Sequence, residues 1–141
     1  MRYCVDTSGW LDGWQRNYPP DVFPTLWRRV EIVIESGDIF SSEEVYVELQ
    51  KKDDEIHDWM KARKEMLVPL TESIQTLASE LLSEFPDPFV IATAIDKNAT
   101  VVTGEPITGN LSKPRIPDVC NVRGVRCINF LQMIRELELK F

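Results

Sequence analysis

The sequence has a single histidine, His57, among 141 residues, and it sits in a strongly charged stretch. That scarcity and setting argue strongly against a histidine base acting on a serine or cysteine nucleophile, and against a multi-histidine metal centre. His57 itself reads as a surface helix residue. Cysteine is also sparse: Cys4, Cys120 and Cys127 are odd in number and show no CxxC spacing. This argues against a disulfide framework and against a zinc site, and leaves Cys4 and Cys127 as small hydrophobes in strands. No apolar run approaches the roughly 18 residues of a membrane span, and no basic region precedes a long apolar stretch of signal-peptide type. A cytoplasmic location without membrane contact is the expectation. Positive charge is in deficit, with 16 Lys and Arg against 23 Asp and Glu and a net charge of -7. Broad electrostatic attachment to nucleic acid is therefore disfavoured. A nuclease is not excluded, because carboxylates gathered around a divalent cation carry negative formal charge that the metal offsets.

What remains is ordinary for a globular protein, with 43% hydrophobic and 28% charged residues. The length suits one domain, 1–141, with one sizeable core. The organising stretch is Tyr3-Cys4-Val5-Asp6-Thr7-Ser8, an apolar run ending on an acid and two hydroxyls. It reads as a buried strand delivering Asp6 to a sheet edge, with Gly9 letting the chain turn away. In open parallel sheets, ligands sit in the crevice outside the carboxyl ends of the strands. A helix cap explains Asp6 equally well.

Downstream, Trp10 to Trp14 and Tyr18-Pro19-Pro20 read as an aromatic loop; Trp10 and Trp14 could stack on bases, but aromatics flanking a turn more often pack onto the core. Val22, Leu26, Val30, Val33 and Ile34 predict a helix from Asp21 that stops at Gly37. Ile39-Phe40 is a small strand candidate, and Ser41 to Glu44 has the form of a capping box. One long helix is predicted after it, with Val45, Leu49, Ile56, Trp59 and Met60 on its buried face. Glu48 borders that stripe, whereas Glu43, Glu44, Asp53, Asp54 and Glu55 are explained by capping and solubility. Met66 to Leu70 predicts a strand at an edge, because of Pro69, and Thr71 caps a helix carrying Ile74, Leu77, Leu81 and Leu82. Asp87 at N-cap with Pro88 at the first helical position opens another. Thr100 to Thr103 is a strand followed by Gly104 and Glu105, and Gly109 to Lys113 is a polar loop. Ile116 to Gly124 is a short helix, Val125 to Ile128 a last strand, and Asn129 caps a final helix. The alternation predicts an α/β fold with a central parallel sheet of four to five strands flanked by helices.

Asp6, Glu48, Asp87 and Glu105 then share a pattern: acids at strand ends, at a helix start, or bordering a helix core. If they converge, like charges in water-poor surroundings need a cation among them, and Mg²⁺ or Mn²⁺ fits an all-oxygen site better than zinc. Asp118 is a lesser candidate, equally explained as a helix-start residue. Arg2, Lys97, Lys113, Arg115, Arg123 and Arg126 are candidate phosphate contacts, and surface solubility explains them equally.

The words Val5-Asp6-Thr7-Ser8, Val45-Tyr46-Val47-Glu48-Leu49, Asp87-Pro88-Phe89-Val90-Ile91-Ala92 and Val102-Thr103-Gly104-Glu105 resemble, in order, the four acidic motifs of PIN domains. Pro117 to Cys120 is similar to a segment of a prokaryotic PIN-like branch related to VapC-type toxin nucleases. The resemblance covers the whole chain. It implies a three-layer PIN-like fold and metal-dependent hydrolysis of RNA, by the toxin of a type II toxin/antitoxin pair. Asp6, Glu48, Asp87 and Glu105 would be catalytic and metal-binding acids, with Asp118 a further metal candidate and Thr7, Ser8 and Thr103 in support. An RNA substrate, an antitoxin protein and a homodimer are the partners it implies. Two departures stand out: Glu105 occupies a position where aspartate is common, and Phe85-Pro86-Asp87 is shorter than the loop expected before the third motif. Two other readings compete. One is a catalytically inactive PIN-like module binding RNA or protein. The other is a Rossmann-like phosphohydrolase with Asp6 as nucleophile, which usually needs a second aspartate where Ser8 stands.

Overall fold

The computed structural model describes residues 1–82 and 88–139. Among these residues five short strands, β1 (Tyr3–Val5), β2 (Ile39–Ser42), β3 (Leu67–Val68), β4 (Thr100–Val102) and β5 (Cys127–Ile128), form one sheet in the order β3-β2-β1-β4-β5. All the pairings are parallel. Parallel neighbours require crossovers, and helices supply them: α1 (Thr7–Leu11) and α2 (Pro24–Glu35) after β1, then α3 (Glu43–Lys52) and α4 (Asp54–Lys61) after β2. After β3 come α5 (Glu72–Leu81) and α6 (Phe89–Lys97), α7 (Ile116–Arg123) joins β4 to β5, and α8 (Phe130–Glu136) follows.

Strand alternation sorts the core into two layers. Tyr3 and Val5 face a core that contains Trp10, Leu26, Leu49, Ile56 and Phe130. Cys4 faces the opposite core with Ile74, Ile91 and Val119. The fold is therefore three-layered, with β1 central. All four tryptophans belong to the first layer. Trp27 lies 4.9 Å from Trp14 and 5.5 Å from Trp59 between ring centroids, in edge-on arrangements that aromatic quadrupoles favour.

Several sequence expectations need correction. The aromatic stretch after Gly9 is helical rather than a loop: α1 runs into a π-helical segment, Asp12–Asn17. Gly9 lies within α1, and its lack of a side chain serves close packing, since a Cβ there would stand 2.7 Å from the Val102 carbonyl oxygen. The single long helix is two. Asp53 adopts an extended backbone and its carboxylate accepts from the Glu55 and Ile56 amides, so a cap interrupts the apolar periodicity. The cap of α3 is Ser42, not Ser41. Ser41 is buried, accepting from the Trp10 indole and donating to the Val5 carbonyl. Val22 is exposed and precedes α2. Pro88 is the N-cap of α6, one position earlier in the helix than expected. His57 is half-buried and stacked on Tyr46 with 4.3 Å between centroids.

Candidate functional site

The chain leaves β1 towards β2 and β3, then returns to place β4 on the other side of β1. Connections therefore diverge from the carboxyl ends of β1 and β4, and such a switch point opens a crevice where ligands bind in α/β sheets. Asp6 follows β1, and Thr103, Gly104 and Glu105 follow β4. The two ends are pressed together: a Cβ on Gly104 would lie 2.7 Å from the Ser8 carbonyl oxygen.

Asp6 is buried at this junction. Its Oδ2 accepts from Thr103 Oγ1 at 2.6 Å and from Ser8 Oγ at 3.0 Å. Its Oδ1 accepts from the Gly9 amide at 2.6 Å and from Ser8 at 2.9 Å. The hydroxyls are themselves oriented by the β4 end, Ser8 accepting from the Gly104 amide and Thr103 from the Glu105 amide. Asp6 thus caps α1 and faces the crevice at once, so the two roles read from the sequence coexist. Burial pushes its carboxyl up to about 7, against the Thr103, Gly9 and Ser8 hydrogen bonds, and the charge of Glu105 acts in the same upward direction.

The crevice has a volume of about 310 Å³. Asp6, Glu48 and Glu105 all line it, together with Thr7 and Ser8. Glu48 reaches it from α3 and accepts from Thr7 Oγ1 at 2.7 Å. Glu105 is paired with Arg115, Nη1 to Oε2 at 3.5 Å. Phe89 and Val90, from the first turn of α6, form part of an apolar wall. Asp87 lies outside the described residues.

Of the two readings of Asp118, the structure supports the helix-start residue and adds a loop to it. Asp118 is not among the residues lining the crevice. Its carboxylate accepts from the Thr108, Gly109 and Arg115 amides and from Thr108 Oγ1, fastening the preceding loop to the start of α7. Burial works against its ionisation, but these four donors prevail and hold the carboxyl at about 2.

Glu44 and Lys52 also line the crevice, and sequence reasoning assigned neither of them to it. The available signal was spacing: residues 44, 48 and 52 repeat at i, i+4 and share one face of α3. Of the basic candidates, Arg115 lines this crevice, whereas Arg2, Arg123 and Arg126 lie at the opposite ends of the strands. There Arg126 is engaged by Glu136, and Arg2 donates to the Lys97 carbonyl.

Among the described residues, no three Asp, Glu, His or Cys side chains already stand close enough together to hold a metal ion. The donor chemistry nevertheless fits a hard cation. Asp6, Glu48 and Glu105 offer only oxygen, and Asp6 is a buried acid beside a second negative charge, a situation a divalent cation relieves.

One solved structure similar to this chain is that of VapBC2 from Rickettsia felis bound to a DNA fragment from their promoter. It has a TM-score of 0.59 and 18% sequence identity, covering 92% of this chain and 98% of that one. At that identity the likeness shows the fold, which is α/β and PIN-like. No match was found among curated proteins. A family model described as "Domain of unknown function (DUF4411)" matches residues 3–141, nearly the full length. The chain belongs to that DUF4411 family.

Proposed function

We propose that this protein is a divalent-metal-dependent endoribonuclease, and that it acts as the toxin of a type II toxin/antitoxin pair. The observation that carries the reading is that Asp6, Glu48 and Glu105, distant in sequence, line one crevice at the β1/β4 switch point. Asp6, Glu48 and Glu105 would hold Mg²⁺ or Mn²⁺, which supplies an activated water and a polarised phosphoryl oxygen. Thr7 orients Glu48, and Ser8 and Thr103 orient Asp6, as supporting hydrogen bonds do around metal-bound carboxylates. The shared fold with a VapBC2 chain supports the toxin part of the reading and an antitoxin protein as partner.

The test is cleavage of single-stranded RNA by the purified protein with Mg²⁺ or Mn²⁺ and with a chelator, beside Asp6→Asn. Metal-dependent cleavage that Asp6→Asn abolishes is expected; equal cleavage by both proteins overturns the assignment. Growth arrest on expression, relieved by a co-expressed neighbouring gene product, is the corresponding test of the toxin role.

Two observations favour a second reading, an inactive RNA- or protein-binding module. Arg115 already provides Glu105 with a cation, and Thr7 already engages Glu48. Calorimetric titration with Mn²⁺ separates the two, because the module would take up no metal.

A further inference from the structure

The crevice that would receive a polyanion is lined by four acids, Asp6, Glu44, Glu48 and Glu105, and by two cations, Lys52 and Arg115. An anionic phosphodiester entering it meets net repulsion unless those cations can be presented to it. They stand on separate elements. Lys52 closes α3, and Arg115 immediately precedes α7. Lys52 has no hydrogen-bond or ion-pair partner among the described residues. Arg115 is only loosely committed: its contact with Glu105 is a single one at 3.5 Å, and its side chain is 60% exposed. Exposed pairs of this kind are held weakly. The root of the arm is fixed by contrast, since the Arg115 amide donates to Asp118 Oδ2 at 2.8 Å. A long side chain on an anchored backbone, with a loosely held guanidinium, is suited to exchanging one anionic partner for another.

We propose that Arg115 is an exchangeable arm: it neutralises Glu105 in the resting crevice, competes there with a divalent cation, and moves to the phosphodiester of single-stranded RNA once Glu105 is otherwise engaged. Lys52 is the second phosphate contact, on the other wall. The proposal rests on the nuclease reading of this same site. It couples two ligands of the site through one residue, because whatever takes Glu105 frees the guanidinium for phosphate. Metal and RNA then favour each other's binding, and by linkage the effect is reciprocal.

The coupling predicts opposite effects from one substitution, which a merely structural role would not produce. Arg115→Gln is expected to weaken binding of a short fluorescein-labelled single-stranded RNA by about tenfold, the scale of a lost charge-assisted pair. It should also reduce the slope of log affinity against log salt by about 0.7. The same variant is expected to bind Mn²⁺ severalfold more tightly in calorimetry, because a competitor for Glu105 has gone. Lys52→Gln should show the reduced salt slope without the gain in Mn²⁺ affinity. Arg115→Lys should restore much of the salt slope and less of the affinity, since it keeps the charge but loses the planar fork. Binding is read by fluorescence anisotropy with Ca²⁺ in place of Mg²⁺, and circular dichroism checks that each variant is folded.

If the wild type cleaves RNA and Arg115→Gln binds RNA and Mn²⁺ as the wild type does, the arm is overturned and the nuclease reading stands. Weakened RNA binding with weakened Mn²⁺ binding overturns the competition at Glu105. A wild type that neither binds nor cleaves RNA overturns the nuclease reading, and the phosphate role of Arg115 with it.

Discussion

The start of α1 and the start of α7 each hold a buried aspartate, and the two behave oppositely. Asp6 is 5% exposed and Asp118 is 3% exposed, and hydrogen bonds reach both oxygens of each. Yet the carboxyl of Asp6 is pushed up to about 7 and that of Asp118 is held at about 2. The donors differ. Asp118 receives three backbone amides, which can only donate, and one hydroxyl. Asp6 receives one amide and two hydroxyls, and hydroxyls can rotate to accept instead. Asp6 also has the charge of Glu105 nearby, which raises its pKa. An acid whose surroundings consist of fixed donors is committed to holding a loop. An acid with adaptable donors, a like charge and an open crevice before it retains the capacity to take a proton or a cation.

The largest expected effect that sharpens this contrast is on activity. Asp6→Asn keeps the shape and removes the charge, and should lower metal-dependent RNA cleavage by more than about 100-fold, beyond the about 10–100-fold loss typical of groups that support a metal ligand. Single-turnover cleavage at saturating Mg²⁺ measures it. Retention of wild-type rates would show that the adaptable corner has no part in the chemistry.

Next comes stability against pH, where the two acids must pull in opposite directions. Between about pH 4 and pH 7, native Asp6 holds a proton that the unfolded chain has released, so without metal the stability falls as pH rises through that window. The effect is at most about 4 kcal/mol for a shift of this size. Asp118 is the reverse: its contribution is present above about pH 4 and is lost as pH falls towards about 2. Urea titrations in chelator across this range should show a maximum near pH 4 to 5, and Asp6→Asn should flatten the alkaline side. Added Mn²⁺ should raise the midpoint more at pH 8 than at pH 5, because only the ionised carboxylate binds it. A flat profile in the wild type would erase the distinction between the two corners.

Ser8→Ala addresses the donors themselves. It deletes contacts to both oxygens of Asp6 and leaves the Gly104 amide without its acceptor. Cleavage should fall by about 10–100-fold, the range seen for outer partners of metal ligands. Melting should be affected less than activity.

The contrast also explains which parts of the molecule could be read from sequence. The alternation of apolar runs with helical periodicity was enough for a parallel α/β sheet, because burial on alternate faces is written into each strand. The breaks were less legible. Asp53 interrupts a continuous amphipathic pattern with a local cap, and a cap outranks periodicity only where the backbone is free to turn. Asp6 looked equally like a cap and a crevice acid because it is both. Capping and solubility explain Glu44 in the sequence, although its spacing from Glu48 puts it on the same helix face. The helix-start role of Asp118 is legible from its place, but its loop-holding role is not, since its partners Thr108 and Gly109 lie about ten residues earlier in a loop whose path no local pattern encodes.

The smallest effect on activity, and the one that tests the comparison from the other side, belongs to Asp118→Asn. The substitution removes a charge from a carboxylate that accepts from four donors, and an amide nitrogen must then face at least one N–H that has nowhere else to turn. Stability at neutral pH should fall, and the acid limb of the pH profile should flatten, because the group whose protonation produced it is gone. Cleavage measured well below the melting temperature should change by only about fivefold or less, through a looser seat for the Arg115 backbone rather than through any lost ligand. A Mn²⁺ titration of this variant is the decisive measurement. Undiminished affinity keeps Asp118 among the residues that hold the loop, whereas a loss comparable with that of Asp6→Asn would make the two aspartates members of one site and dissolve the distinction drawn from their donors.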